Sequence, residues 1–224
     1  MTPASTRPET DLDLAAEIAG EFLALADLLE AAPPETWDAR SLCEGWRTRE
    51  VVAHMTMPAR YDGPQFMERL AAAGGDFTAM SDAVAAEDGA LPAATLLENL
   101  RSESLHAWEP PGGGAQGALT HCVIHGLDIT EGASLGRRVP ENRVARVLAC
   151  AGDVDLAQVF GTDLAGVELR ADDLDWNYGA GQLVTGPAQV LALVLCGRRV
   201  PQGRLTGQGA THFTRDSHWR GTWV

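Results

Sequence analysis

The nine residues HCVIHGLDI, 121 to 129, constrain this chain more than any other stretch. On a helix of about 3.6 residues per turn, Cys122, Val123, Ile124, Leu127 and Ile129 cover most directions, so the helix must be buried on nearly all sides. His121, His125 and Asp128 fall in one narrow stripe along it. Polar groups carried into a core are costly unless each finds a partner, and a metal ion is one such partner.

Other helices are legible around it. Leu14, Ile18, Phe22, Leu25 and Leu29 recur at steps of three and four, which predicts an amphipathic helix over residues 12–31, ended before Pro33 and Pro34. The connector PPETWDARSLCEGW holds Trp37 and Trp46, expected to plug the end of a bundle rather than to meet a ligand. Thr48 is a candidate cap for a helix from about Arg49 through His54 and Tyr61 towards Ala73. Pro58 removes the amide that would bond the His54 carbonyl, so this helix is expected to bend beside His54. AAGGDFTAMSDAVAAEDGALP suggests a mobile, partly helical excursion, and a helix from about Ala94 to Trp108 follows. PPGGGAQG is a loop but not a phosphate loop, since no Lys follows it and no strand precedes it. Four helices in this order suggest an up-and-down bundle.

From about Gly166 the pattern changes. GVELRADD alternates, DLDWNYGAGQLVTG is predicted as a hairpin, and PAQVLALVLCG as a short helix with Pro187 in its first turn and Gly197 past its end. A helix over about 141–160 links the halves. The expected fold is α+β: a helical bundle over 12–150 and a small α+β domain over 151–224.

Charge and cysteine usage narrow the function. Seventeen Lys and Arg against 31 Asp and Glu give a net charge of −14, which repels a phosphate backbone and argues against nucleic acid. Cys43, Cys122, Cys150 and Cys196 are scattered without paired metal spacing and are expected to be reduced core thiols. The start, MTPASTRPETDLDL, lacks the basic end and apolar core of a secretory signal, and no apolar run approaches membrane-spanning length. A cytoplasmic protein with no membrane partner is expected.

Two histidines four residues apart on a helix set their imidazoles side by side, the geometry a transition metal takes from one helix. His54, among Val51, Val52 and Met55, is the best candidate for a third ligand. Three neutral imidazoles leave coordination positions free, as in catalytic zinc sites. The competing reading keeps His54, His121 and His125 as core histidines bonded to backbone or to Asp128. Under the metal reading Asp128 accepts an imidazole N–H and fixes its tautomer, or else is a helix-end carboxylate without a role. His106, His212 and His218 are expected at the surface. Arg198 and Arg199 are expected to be solvated charges after a helix, the alternative being contact with an acidic substrate or thiol carboxylate.

SLCEGWRTREVVAHM, HGLDI, DLDWNYGAGQLVTGPAQVLALVLCGRR and LTGQG, in this order across roughly residues 12–209, resemble the mycothiol-dependent maleylpyruvate isomerase family. The resemblance implies a DinB-like four-helix bundle carrying a divalent metal, usually zinc, with a smaller α+β domain beside it. It also implies mycothiol as thiol cosubstrate and a small electrophile as substrate. The family's first and last ligands map onto His54 and His125, whereas the middle ligand, Glu in the isomerase, is His121 here, as in other DinB-like thiol transferases. A neutral ligand in place of an anionic one leaves a more positive metal, which favours thiolate and weakens the case for maleylpyruvate as substrate. The resemblance thus implies an enzyme whose metal lowers the pKa of a small thiol for isomerisation or transfer. A reading from another class is a non-catalytic module, its metal stapling two helices, that binds a ligand or protein partner. Against it, structural zinc normally has four protein ligands.

Overall fold

The protein is described by a computed structural model for residues 9–153 and 156–215, so His218 lies outside the described residues. The expected first helix is α1 (Glu9–Ala31), with Leu14, Ile18, Phe22, Leu25 and Leu29 all buried. It stops before the two prolines, and Pro34–Asp38 forms a short 3-10 helix that buries Trp37.

The single bent helix expected from Arg49 to Ala73 is instead three: α2 (Thr48–Met55), α3 (Met57–Arg60) and α4 (Gly63–Ala72). Pro58 offers no N–H to the His54 carbonyl, so α2 ends there, and side chains add hydrogen bonds to the carbonyls just before it, that of Val52 already accepting the Thr56 N–H at 3.0 Å. Thr56 donates its hydroxyl to the Val52 carbonyl at 2.7 Å, and Arg60 donates Nη2 to the Ala53 carbonyl at 2.6 Å. Asp62 and Gln65 then form a reciprocal capping box that starts α4 afresh. Thr48 is not the cap of α2, because its hydroxyl faces the Ala39 carbonyl at 3.4 Å while Glu50 accepts the Arg47 N–H at 2.8 Å.

The expected excursion is a regular helix, α5 (Phe77–Asp88), whose N-cap Asp76 accepts the Ala79 N–H at 3.1 Å. Its Met80 and Val84 pack with Met57, against Tyr61, Phe66 and Leu70. Asp88 accepts from Arg60 Nη2 at 2.9 Å and from the Tyr61 hydroxyl at 2.7 Å, which ties the end of α5 to α3. The next expected helix is interrupted, giving α6 (Ala93–Leu100) and α7 (Glu103–His106). The polar-striped helix is α8 (Gly114–Gly132).

Contacts divide the chain into two compact units, Met1–Pro33 with Val52–Cys122 and Pro34–Val51 with Val123–Val224. In the first, α1 packs against α6 and α7, α3 against both of these, and α4 against α5. Helices α2 and α8 each contribute residues to both units.

The second unit contains α9 (Glu141–Asp153), α10 (Leu156–Val159), β1 (Val167–Ala171), β2 (Asn177–Gly179), β3 (Gln182–Gly186), α11 (Ala188–Leu195), β4 (Val200–Pro201) and β5 (Thr214–Arg215). The predicted hairpin within 173–186 does not form: the strand order is β2-β1-β3. β2 turns back antiparallel on β1, with Leu169 opposite Tyr178, and β3 takes the other edge of β1 in parallel, from Val167 beside Gln182 to Ala171 beside Gly186. Helix α11 is buried at every position and packs against β1 and α9. Pro187 sits at its N-cap, and the Ala188 N–H is taken by Asp173 Oδ1 at 2.7 Å. No described helix is long and apolar enough to cross a membrane.

Candidate metal centre

Within the second unit, the polar stripe of α8 is met by a loop and by a helix end. Gly132 lets the segment before α2 lie directly on α8, since a Cβ there would stand 2.4 Å from the Arg40 carbonyl oxygen. Ser41 folds that segment on itself by donating its N–H and its hydroxyl to the Trp46 carbonyl, at 3.1 and 2.8 Å. Leu42 then gives its N–H to the Asp128 carbonyl at 2.9 Å. The result is a Cys43 thiol 3.0 Å from Asp128 Oδ2 and 3.7 Å from His125 Nδ1.

The helix end is that of α11. Gly197, at φ +79°, donates its N–H to the Val194 carbonyl and Arg198 donates its N–H to the Leu193 carbonyl, both at 3.0 Å, which is a Schellman termination that needs the left-handed glycine. This turn delivers Arg198 to α8, where Nε meets Asp128 Oδ1 at 3.0 Å and Nη2 meets Oδ2 at 2.9 Å. Arg198 is therefore not the solvated charge expected: its side chain is only 17% exposed, and the bidentate pairing to a buried carboxylate replaces its water. Arg199 is exposed, as expected.

Asp128 is completely buried and collects donors from His125 Nδ1 at 3.0 Å, from Cys43 and twice from Arg198. Burial alone pushes this carboxyl up, but the Arg198 charge and the His125 and Arg198 hydrogen bonds outweigh it and hold it well below the usual carboxylate range. The Cys43 thiol moves the other way, raised by burial and then by the Asp128 charge, so it stays protonated and donates. An ionised carboxylate only accepts, so His125 donates from Nδ1, and in the neutral ring that leaves the lone pair on Nε2.

In the first unit, His54 is buried on α2 with Nδ1 2.7 Å from the Ser81 hydroxyl of α5. The His121 ring stands 5.4 Å from that of His54 at 53°, and the Trp108 ring meets His121 edge-on at 5.4 Å. A ring nitrogen of His121 lies within 4.8 Å of one on His54 and, one turn along α8, of one on His125. His106 is not the surface residue expected: its Nε2 is 2.8 Å from the Leu100 carbonyl and its ring stacks on Phe22 at 5.7 Å. His212 is exposed, as expected.

A second donor group, Cys43, His125 and Asp128, also lies within 4.8 Å. It suits a cation poorly, because Arg198 already engages both oxygens of the carboxylate and brings a positive charge beside it. None of the four cysteines is in a disulfide, in line with the expected reduced thiols, but only Cys122 and Cys196 are in the core; Cys43 and Cys150 are partly buried, and Cys43 donates to Asp128. Cys43, Ser81, Trp108 and Arg198 escaped sequence reasoning as members of these clusters; the one available signal was Gly197 immediately before Arg198.

Comparison with known proteins gives a family match for part of the chain and a fold for nearly all of it. Residues 18–109 match the family described as mycothiol maleylpyruvate isomerase N-terminal domain, a span that includes His54 and ends before His121. A crystal structure of the mycothiol-dependent maleylpyruvate isomerase shares the fold with a TM-score of 0.53 and 18% identity, covering 94% of this chain and 97% of that chain. A crystal structure of the same enzyme with one histidine replaced by alanine aligns over the same shares of both chains at 18% identity and a TM-score of 0.55. These likenesses bear out the expected α+β fold. No curated protein matches the chain.

Proposed function

Residues 18–109 belong to the mycothiol maleylpyruvate isomerase N-terminal domain family, and from that premise we propose that the chain is an enzyme that activates a low-molecular-weight thiol, mycothiol, against a small electrophile, through a divalent metal held by His54, His121 and His125. The observation that carries the reading is the donor set: the His54 and His121 rings are 5.4 Å apart, and His125 follows one turn along the same helix. These residues suit a zinc-like ion, since neutral imidazoles are its ordinary donors and Asp128 keeps the His125 proton on Nδ1, away from Nε2. A bound divalent metal with a free position supplies Lewis acidity that brings a thiol's pKa towards neutrality.

The chain's own residues do the rest. His54, His121 and His125 present nitrogen donors, Asp128 orients His125, and Arg198 keeps Asp128 ionised so that it cannot compete as a proton donor. Trp108 packs against His121 and limits the tilt of its ring. As a neutral imidazole ligand, His121 would leave more positive charge on a bound metal for an anionic thiolate than a carboxylate ligand would. Addition of the thiolate to an activated double bond forms one carbon–sulfur bond and breaks the π bond, its electron pair moving to the activating group; isomerisation rotates about the resulting single bond and expels the thiolate to restore the double bond, whereas transfer keeps the carbon–sulfur bond and takes up a proton.

Metal analysis of the purified protein, followed by thiol consumption with mycothiol and with other small thiols, tests this reading. One equivalent of metal is expected in the wild type, with both metal and thiol consumption lost in His121→Ala and His125→Ala and the melting temperature of the metal-free protein nearly unchanged. A wild type that binds metal, consumes no thiol with any electrophile tried, and melts far lower after chelation is a metal-stapled module instead.

A further inference from the structure

We propose that Ser81 is a positioning residue for His54, orienting its ring and accepting the Nδ1 proton of the tautomer in which His54 can take a metal through Nε2; this rests on the metal-site reading above. Ser81 is buried on α5 and its hydroxyl lies 2.7 Å from His54 Nδ1. Such a contact has two forms. If the hydroxyl donates, the neutral ring carries its proton on Nε2 and that nitrogen has no lone pair to give. If the hydroxyl accepts, the proton sits on Nδ1 and Nε2 is free. Only the second form is compatible with a metal at Nε2, and a hydroxyl can switch to it by rotating about its own bond, with no change in charge.

The surroundings hold this pair in place. Met80, directly before Ser81, and Val84, one turn on, are packed against Met57 just past the end of α2. Arg60 bridges the Ala53 carbonyl, next to His54, and Asp88 at the end of α5. α5 is thus tied to the α2–α3 junction on both sides of the hydroxyl, and the Ser81 contact follows from the packing rather than from a chance rotamer. Histidines that bind metals commonly have such an acceptor behind them, and its loss typically lowers metal affinity about 10- to 100-fold. His125 has an anionic one in Asp128, and His54 has a neutral one in Ser81.

The test is cobalt(II) binding to the metal-free full-length protein, by competition with a chromophoric chelator, in the wild type, Ser81→Ala, Ser81→Thr and His54→Ala. Ser81→Ala is expected to weaken cobalt about 10- to 100-fold and to alter the visible cobalt absorption, with an unchanged melting temperature before metal is added, since alanine favours a helix interior. Ser81→Thr, which keeps the hydroxyl, is expected to restore most of the affinity. Wild-type affinity in Ser81→Ala overturns the proposal, and so does a loss that threonine fails to restore, which assigns the effect to packing. His54→Ala separates the two levels. If it loses cobalt while Ser81→Ala does not, only the role of Ser81 fails; if it binds as the wild type does, or if the wild type takes no cobalt, the metal-site reading fails with it.

Discussion

Replacing Arg198 by methionine keeps an apolar stem but removes the positive charge paired with a carboxylate that is 0% exposed. Two charge-assisted hydrogen bonds, at 3.0 and 2.9 Å, are lost. Removing one partner of a buried ion pair costs about 3–5 kcal/mol. Asp128 retains His125 and Cys43 as donors, which places the loss at the lower end, about 3 kcal/mol. In a chain of this size each kcal/mol moves the melting temperature by about 2–4 °C, so a fall of about 6–12 °C is expected. Acid unfolding supplies a second readout. The folded-state pKa of Asp128 is depressed below its unfolded value of about 3.9, so the pair's stabilisation is fully present above that pH and is lost as pH falls through the folded value. Without Arg198 the folded value rises, and acid unfolding should begin at a higher pH than in the wild type. Circular dichroism melts at neutral pH and an acid titration measure both. A loss below about 1 kcal/mol, the size of an exposed pair, with an unmoved acid transition would refute the view that Arg198 and Asp128 form a desolvated couple.

Two further outcomes are expected. Each metal-binding imidazole must be neutral, so metal should be released as pH falls through the histidine range near 6.5; occupancy by elemental analysis that is unchanged at about pH 4 would contradict a three-histidine site. The Cys196 thiol is pushed up to about 12, chiefly by burial, so in the folded protein it should resist iodoacetamide at mildly alkaline pH and react after denaturation. Peptide mass spectrometry reads this site by site, and rapid labelling of Cys196 in the folded state would contradict its burial.

What the sequence made legible was local. The α1 stripe and the His121, His125 and Asp128 stripe follow from the period of one helix, which needs no knowledge of what packs against it. The partners of the second stripe arrive from 85 residues before Asp128, at Cys43, and 70 after it, at Arg198, and no periodicity links such positions. The strands around residues 167–186 were placed well but paired wrongly, because alternation and turn glycines identify strands without naming their neighbours. The break at Thr56 was foreshadowed by Pro58, whereas the Arg60 contact with the Ala53 carbonyl depends on the tertiary placement of Asp88. The segment before Ser81 has glycines and few large apolar residues, which suggested an excursion; Met80 and Val84 sufficed to dock it.

The glycine that ends α11 has a bearing on how sequences like this one can be compared and on how they can drift. Arg198 and Arg199 are neighbours of the same type, yet one is an anchor and the other is washed by solvent. An alignment that slips by one position across GRR exchanges the two without any penalty in residue similarity. Gly197 removes the degeneracy, because its positive φ, and the contact of 3.2 Å that a Cβ would make with the Phe160 carbonyl oxygen, tie the helix terminus to one residue. Counting from that glycine, the first arginine is the position where lysine should not substitute freely, since its single ammonium cannot reproduce a two-pronged contact. The second is free to become almost anything polar, and its identity in a relative would carry no information about Asp128.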